Sequence, residues 1–237
     1  MPSIVLIKNT LSAIPTHTAL AVNLSPWVIK CIDGYRRGFL WQGASTAKGG
    51  HCLLSWPRVC RPTDFGGLGL LDLQRFGYAL RMRWLWLKRA EGNRSWQDLP
   101  TKEEPIVQAM FQESIYFELG DGNMALFWSD RWLQGQSLLD VAPCLCNAVD
   151  TRVRKRRTVA HALQNNCWIS DISGALTVQV LIEYLRVWDL THDIHLLTGH
   201  RDKLCWKWTA EKIFSTSSAY SAFFHWSASD RKSKTTP

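Results

Sequence analysis

The chain has 237 residues, 46% of them hydrophobic, and a formal net charge of +8; it holds enough apolar material for one large domain or two small ones and is not a disordered tail. The charge is unevenly placed: residues 1–100 carry 13 Lys and Arg against 5 Asp and Glu, while residues 101–237 carry 15 against 15. The apolar runs stop short of the ~18–20 residues a spanning helix needs, no secretory leader is expected, and seven cysteines without disulfide-like spacing fit a reduced intracellular setting, nuclear or cytoplasmic.

Residues 4–22 read as a helix broken at Pro15, because proline lacks the backbone donor and clashes with the preceding turn. Ser25 and Pro26 supply an N-cap and first-turn proline for a second helix, in which Trp27, Cys31, Tyr35 and Phe39 recur every four residues beside Val28 and Ile32, ending near Trp41. Lys30, Arg36 and Arg37 fall off that row and are expected on a solvated face able to meet phosphates. Residues 42–50 form a small-residue loop and residues 51–56 a short apolar piece ended by Pro57. Gly66, Gly67 and Gly69 then sit among Phe65, Leu68 and Leu70. Glycines pinned in an apolar setting indicate a structural turn; the alternative is a phosphate-cradling loop, whose spacing and following Lys-Ser/Thr pair are missing.

Leu73, Phe76, Leu80, Trp84 and Leu87 step by three and four along another amphipathic helix, with Arg75, Arg81, Arg83, Lys88 and Arg89 as its basic complement. That pattern suits a clamp on a nucleic-acid backbone and equally a soluble surface helix. Residues 92–105, with two prolines and mixed charge, mark a boundary.

Beyond it, residues 114–119 and 124–128 flank Gly120-Asp121-Gly122-Asn123 and predict a hairpin. Phe127, Trp128, Asp130, Arg131 and Trp132 predict an aromatic cluster with a carboxylate–guanidinium pair, in a packing role rather than a catalytic one. Residues 152–157 are basic at five of six positions, either a nucleic-acid or nuclear-import patch or an ordinary exposed loop. Residues 158–163 and 176–188 read as helices, the second with Val180, Leu181, Tyr184, Leu185 and Trp188 on one stripe. Residues 205–208 and 212–214 read as short strands, residues 217–226 as a closing helix, and residues 227–237 as a frayed tail.

Two-metal phosphoryl transfer needs clustered carboxylates, and no Asp-Asp pair occurs in the sequence. Cys144 and Cys146 lack a second pair at zinc spacing, and His192, His195 and His200 read as a solvated polar loop rather than metal ligands. No catalytic residue, metal ligand or cofactor is expected.

Taken together, these residues resemble the C-terminal part of a plant non-LTR (LINE-type) retrotransposon reverse transcriptase. The likeness runs in order through Leu6-Ile7-Lys8, Leu11 to Pro15, Pro26-Trp27-Val28-Ile29, Arg36 to Trp41, Trp56, Val59 to Pro62 and Gly66 to Gly69. It continues through Gly120-Asp121-Gly122, Phe127 to Trp132, Ala210 and Phe214 to Tyr220. The resemblance implies a thumb-like helical region at 1–91 that would brace a template–primer duplex. It further implies a linker at 92–113 and, at 114–226, an incomplete lead-in to the family's zinc-binding domain. The family's metal-binding aspartates would precede Ile4 and its zinc ligands would follow Tyr220, so neither set is carried over.

The expected fold is α+β, mainly helical. The expected function is that of a truncated reverse-transcriptase-derived protein, not an enzyme in itself, which binds RNA or DNA weakly and without sequence preference through Arg36, Arg37, Arg75, Arg81, Arg83, Lys88 and Arg89. The alternative is a protein-interaction or scaffold remnant that self-associates through exposed aromatic surface. No membrane partner is expected.

Overall fold

The computed structural model describes residues 2–21, 24–45, 54–91 and 104–233 and divides into two units, Met1–Phe111 with Phe214–Pro237, and Gln112–Ile213. The fold is mainly helical with a few short antiparallel strands. Parts of the expected loop at 42–50, the apolar piece at 51–56, the boundary at 92–105 and the tail lie outside the described residues.

In the first unit, α1 (Pro2–Leu6), a π-helical turn (Ile7–Leu11) and α2 (Ala13–Ala21) follow one another. The break falls at Ser12, whose N–H reaches back to the Ile7 carbonyl at 2.9 Å, and not at Pro15. Proline is tolerated there because it lies in the first turn of α2, where backbone N–H groups have no intrahelical acceptor. Helix α3 (Pro26–Gln42) starts as its sequence dictates, with the Ser25 hydroxyl accepting from the Val28 N–H, and stops at Gly43, whose φ of +63° is left-handed.

After α4 (Trp56–Val59) comes the glycine cluster. The N–H groups of Gly66, Gly67, Leu68 and Gly69 donate to the carbonyls of Thr63, Pro62, Val59 and Arg61 at 2.9–3.1 Å. All four donors are occupied by the chain itself, which makes this a structural turn and leaves none of them for a phosphate. At Gly67 a Cβ would stand 2.1 Å from the Arg61 carbonyl oxygen, so no side chain fits. The turn folds over an apolar cluster of Ile7, Trp56, Val59, Cys60 and Leu70, where burial pushes the Cys60 thiol up to about 12.

Helix α5 (Leu73–Ala90) is N-capped by Asp72, which accepts from the Arg75 N–H at 3.1 Å. It buries Leu73, Gly77 and Leu80 on one side and Ala79 and Met82 on another. The second side arises because the closing helix, which the sequence reading grouped with the second part, packs on α5. Its Tyr220, Phe223 and Phe224 meet Phe76, Tyr78 and the Arg75 guanidinium respectively, and the Asp72 N–H donates to the Tyr220 hydroxyl at 3.0 Å.

Helix α6 (Pro105–Ser114), where a linker was expected, leads into β1 (Ile115–Glu118) of the second unit. The expected hairpin does not form. Strand β1 pairs antiparallel with the distant Lys203–Trp206 (β4), in the register Ile115 to Trp206 and Glu118 to Lys203. A second small sheet joins β2 (Arg131–Leu133) to β3 (Gln136–Ser137). Short helices α7 (Leu138–Val141), α8 (Pro143–Asn147), α9 (Thr151–Arg154) and α10 (Val159–Leu163) follow, then a 3-10 stretch (Gln164–Asp171), α11 (Val178–His192) and, after β4, α12 (Thr216–Ser233) in the first unit. Residues 212–214 form no strand, although the Lys212 carbonyl accepts from the Trp206 N–H at 2.8 Å.

The segment read as a hairpin turn instead wraps around a buried carboxylate. One oxygen of Asp202 accepts from the N–H groups of Gly120 and Gly122 at 2.7 and 2.8 Å, and the other from Met124 and Ala125 at 2.8 and 3.2 Å. Glycine is required at 120, where a Cβ would stand 2.2 Å from the His200 carbonyl oxygen, and at 122, where φ is +72°. The loop delivers Phe127, Trp128 and Trp132 into a buried aromatic cluster with Trp168. The expected Asp130–Arg131 pair is not made: Asp130 accepts from the Leu126 N–H, and Arg131 reaches Glu113 and Asp140.

Because each Asp202 oxygen faces two N–H donors, Asp202→Asn would turn an amide NH2 against one of those pairs. We expect Asp202→Asn to cost nearly as much as Asp202→Ala, roughly 3 kcal/mol or more in urea unfolding; a near-neutral Asn variant would refute the double-acceptor role. At Glu183, burial raises the carboxyl, but hydrogen bonds from the Gln179 side chain and the Leu145 N–H outweigh it, and the group lies below its ordinary value. The folded state therefore favours the charged form, and this stabilisation is present above the unfolded value of about 4.3 and lost as pH falls through the lower folded one. Glu183→Gln should flatten the acid side of the urea-midpoint profile, and an unchanged profile would count against it.

Candidate nucleic-acid interface

The seven cations singled out by sequence do not form one face. Arg36 is fully buried, with 0% exposure. Its guanidinium donates to Asp33 at 2.8 Å, to the Ser12 hydroxyl at 3.1 Å and to the Leu71 carbonyl at 2.7 Å, tying α3 to the N-terminal helices and to the approach of α5. The expectation of a solvated Arg36 is thus corrected: three acceptors draw its two terminal nitrogens inside, and these bonds offset the cost of burying the guanidinium. Burial raises the Asp33 carboxyl above its ordinary value, with Arg36 opposing. Arg37 is half-buried, its guanidinium 5.6 Å from the centre of the Trp56 ring, which also receives Arg36 at 5.3 Å.

On α5, Arg75 is held 3.6 Å from Asp72 and 4.3 Å over the Phe224 ring, and Arg81 lies 3.4 Å from Glu104 and over Tyr78. Both are covered on the side where the sequence pattern placed an open basic face, because α12 and the residues before α6 occupy it. Arg83 and Lys88 are exposed and Arg89 is half-buried. At 3.6 residues per turn these three leave the helix roughly 100–140° apart, so no single phosphate track meets them all. The basic complement of α5 is real in composition and dispersed in space.

Elsewhere, His192 contacts Asp193 at 2.9 Å, while His195 and His200 are exposed. Among the described residues no group of three or more His, Cys, Asp or Glu is arranged to hold a metal ion. Cys144 is exposed and Cys146 buried, its thiol pushed up to about 12 by burial. Among the described residues no helix is long and apolar enough to cross a membrane. Sequence reasoning missed Asp202 altogether; the only local signal is the Gly-x-Gly far upstream that its carboxylate organises.

Arg36→Ala is expected to lower the unfolding free energy by roughly 3 kcal/mol, since it removes a buried side chain with three hydrogen bonds and strands the half-buried Asp33, whereas exposed Arg83→Ala should stay within about 0.5 kcal/mol. Urea titration of the two variants checks this, and equal effects would place Arg36 at the surface.

No protein-family model matches the chain, and no solved structure matches it. Among curated proteins it is similar to an Arabidopsis thaliana protein named "Putative ribonuclease H protein", with 26% identity over 245 residues that cover 91% of this chain and 37% of that relative. The chain thus spans little more than a third of the relative's length.

Proposed function

We propose that this chain is a non-catalytic part of a retroelement-derived, reverse-transcriptase-like polypeptide that associates with RNA or DNA without sequence preference. The observation that carries the reading is the similarity to a protein named for ribonuclease H along nearly the whole of this chain, in a sequence with a pI near 9.3. A basic protein gains affinity for a polyanion by releasing its counterions. Three buried carboxylates support the non-catalytic half of the proposal: Asp202, Asp171 and Glu183 all accept hydrogen bonds from the chain's own donors. Carboxylates held in this way serve the fold rather than a reacting group.

A second reading has its own observation. Helix α11 exposes Val178, Leu181, Ile182 and Leu185, on one face by their spacing of three and four, so the stripe expected to turn inward is split and its Leu181 and Leu185 lie outside. Such surface, and separately the exposed Trp27 and Tyr35 of the first unit, favours a self-associating interaction module.

Fluorescence anisotropy of the full chain with an RNA–DNA hybrid, duplex DNA and single-stranded RNA across a salt series separates the two. Association with nucleic acid should weaken steeply with salt, and polymerase and nuclease assays should stay at background. A folded protein that binds none of the three probes and scatters light as a salt-insensitive oligomer would establish the second reading instead.

A further inference from the structure

The second unit contains a basic turn whose geometry differs from that of α5. Helix α9 is capped by Asp150, which accepts from the Arg152 N–H at 2.7 Å, and the chain continues in helical turns, with the Lys155 N–H on the Thr151 carbonyl and the Arg156 N–H on the Val153 carbonyl. Arg152, Lys155 and Arg156 therefore stand at positions i, i+3 and i+4, which a helical turn places on one side with Cβ atoms roughly 5–6 Å apart. All three are exposed. Among the described residues, none of them has a carboxylate within ion-pair distance.

The fifth cation of the run has another task. Arg157 donates to Asp171 through two nitrogens, and Asp171 also accepts from the indole N–H of buried Trp128 at 3.0 Å. The Arg157 carbonyl receives the Phe127 N–H at 2.8 Å, and the Ala125 carbonyl receives the Val159 N–H at 2.9 Å. The turn is anchored at its exit to the aromatic cluster, and just before its start Val149 bridges to Ile172. Three like charges are thus held close together on a rigid support, and the acid beside them, Asp150, is turned to the Arg152 backbone N–H rather than to any of their side chains. Their mutual repulsion gives the fold nothing, but it is relieved when an anion spans them, and a support already ordered loses little freedom on binding.

We infer that the turn bearing Arg152, Lys155 and Arg156 is a contact surface for the phosphate backbone of a nucleic acid, in the unit that composition marks as electrically balanced. This rests on the reading of the chain as nucleic-acid-associated. Regularly spaced phosphates match a cluster of exposed, unpaired cations, and sequence preference is not expected of such contacts.

The test uses the full chain, a labelled RNA–DNA hybrid and a labelled single-stranded RNA, with polyglutamate as an acidic-protein mimic. The triple variant Arg152→Gln, Lys155→Gln, Arg156→Gln should lose roughly tenfold or more in affinity at moderate salt, with the slope of log affinity against log salt shallower by about two to three. The charge-preserving pair Arg152→Lys and Arg156→Lys should keep the wild-type slope, which separates charge from any effect on folding. A wild-type slope in the triple variant, with the wild-type protein binding normally, overturns the inference and leaves the broader reading standing. A wild-type protein that binds polyglutamate and no nucleic acid overturns both.

Discussion

Each oxygen of the Asp202 carboxylate takes two backbone N–H groups, and the order of the second unit follows from that demand. A carboxylate with 5% exposure is tolerable only if its lone pairs are met. The loop at 120–125 meets them by turning its amides inward, which needs glycine where the backbones touch. Once the loop is drawn to Asp202, β1 lies against β4, and the residues that leave the loop carry Phe127 and Trp128 into the core. Arg36 poses a similar demand with opposite sign in the first unit, where its two terminal nitrogens find Asp33, Ser12 and Leu71. Each unit has a buried charge that draws in hydrogen-bonding groups from distant parts of its chain.

This explains which features were legible in sequence. Helices α3, α5 and α11 and the closing helix could be read because cap chemistry and apolar spacing are local properties. Ser25-Pro26 needs nothing beyond its own turn to start α3. The glycine turn was legible for the same reason. Strand pairing was not: Gly120-Asp121-Gly122-Asn123 has the chemistry of a hairpin turn, and nothing within ten residues reveals that the partner of β1 is β4 or that Asp202 collects the amides. The closing helix was recognised as a helix, but its place on α5 depends on aromatic partners at Phe76 and Tyr78 that no local window contains.

The charged positions failed in a more instructive way. A cation off the apolar row of one helix is solvated only if no other element covers it. Arg36 is off the row of α3, yet Ser12 and the Leu71 carbonyl come from segments that close over it; Arg75 is off the row of α5, yet Phe224 of α12 covers it. Helical spacing describes one contact face, and α5 has two. The same oversight places Leu181 and Leu185 on an inward stripe when Val180, Tyr184 and Val187 already fill the inner side of α11.

Net charge per segment is for this reason a weaker guide than local density. Fixed charges in physiological salt are screened over about 8 Å, so cations that leave a helix in different directions act on a polyanion nearly one at a time. Cations within one turn lie inside a single screening length and act together. Residues 1–100 hold the whole net excess of this protein, yet their arginines are divided among a buried anchor, ion pairs and dispersed exposed positions. The second unit keeps three on one side of one turn, none of them in an ion pair among the described residues, while Asp171 is taken by Arg157, Asp202 by the backbone and Asp150 by the Arg152 N–H. What a phosphate backbone meets at contact distance is that local field, and a sum over sequence cannot display it.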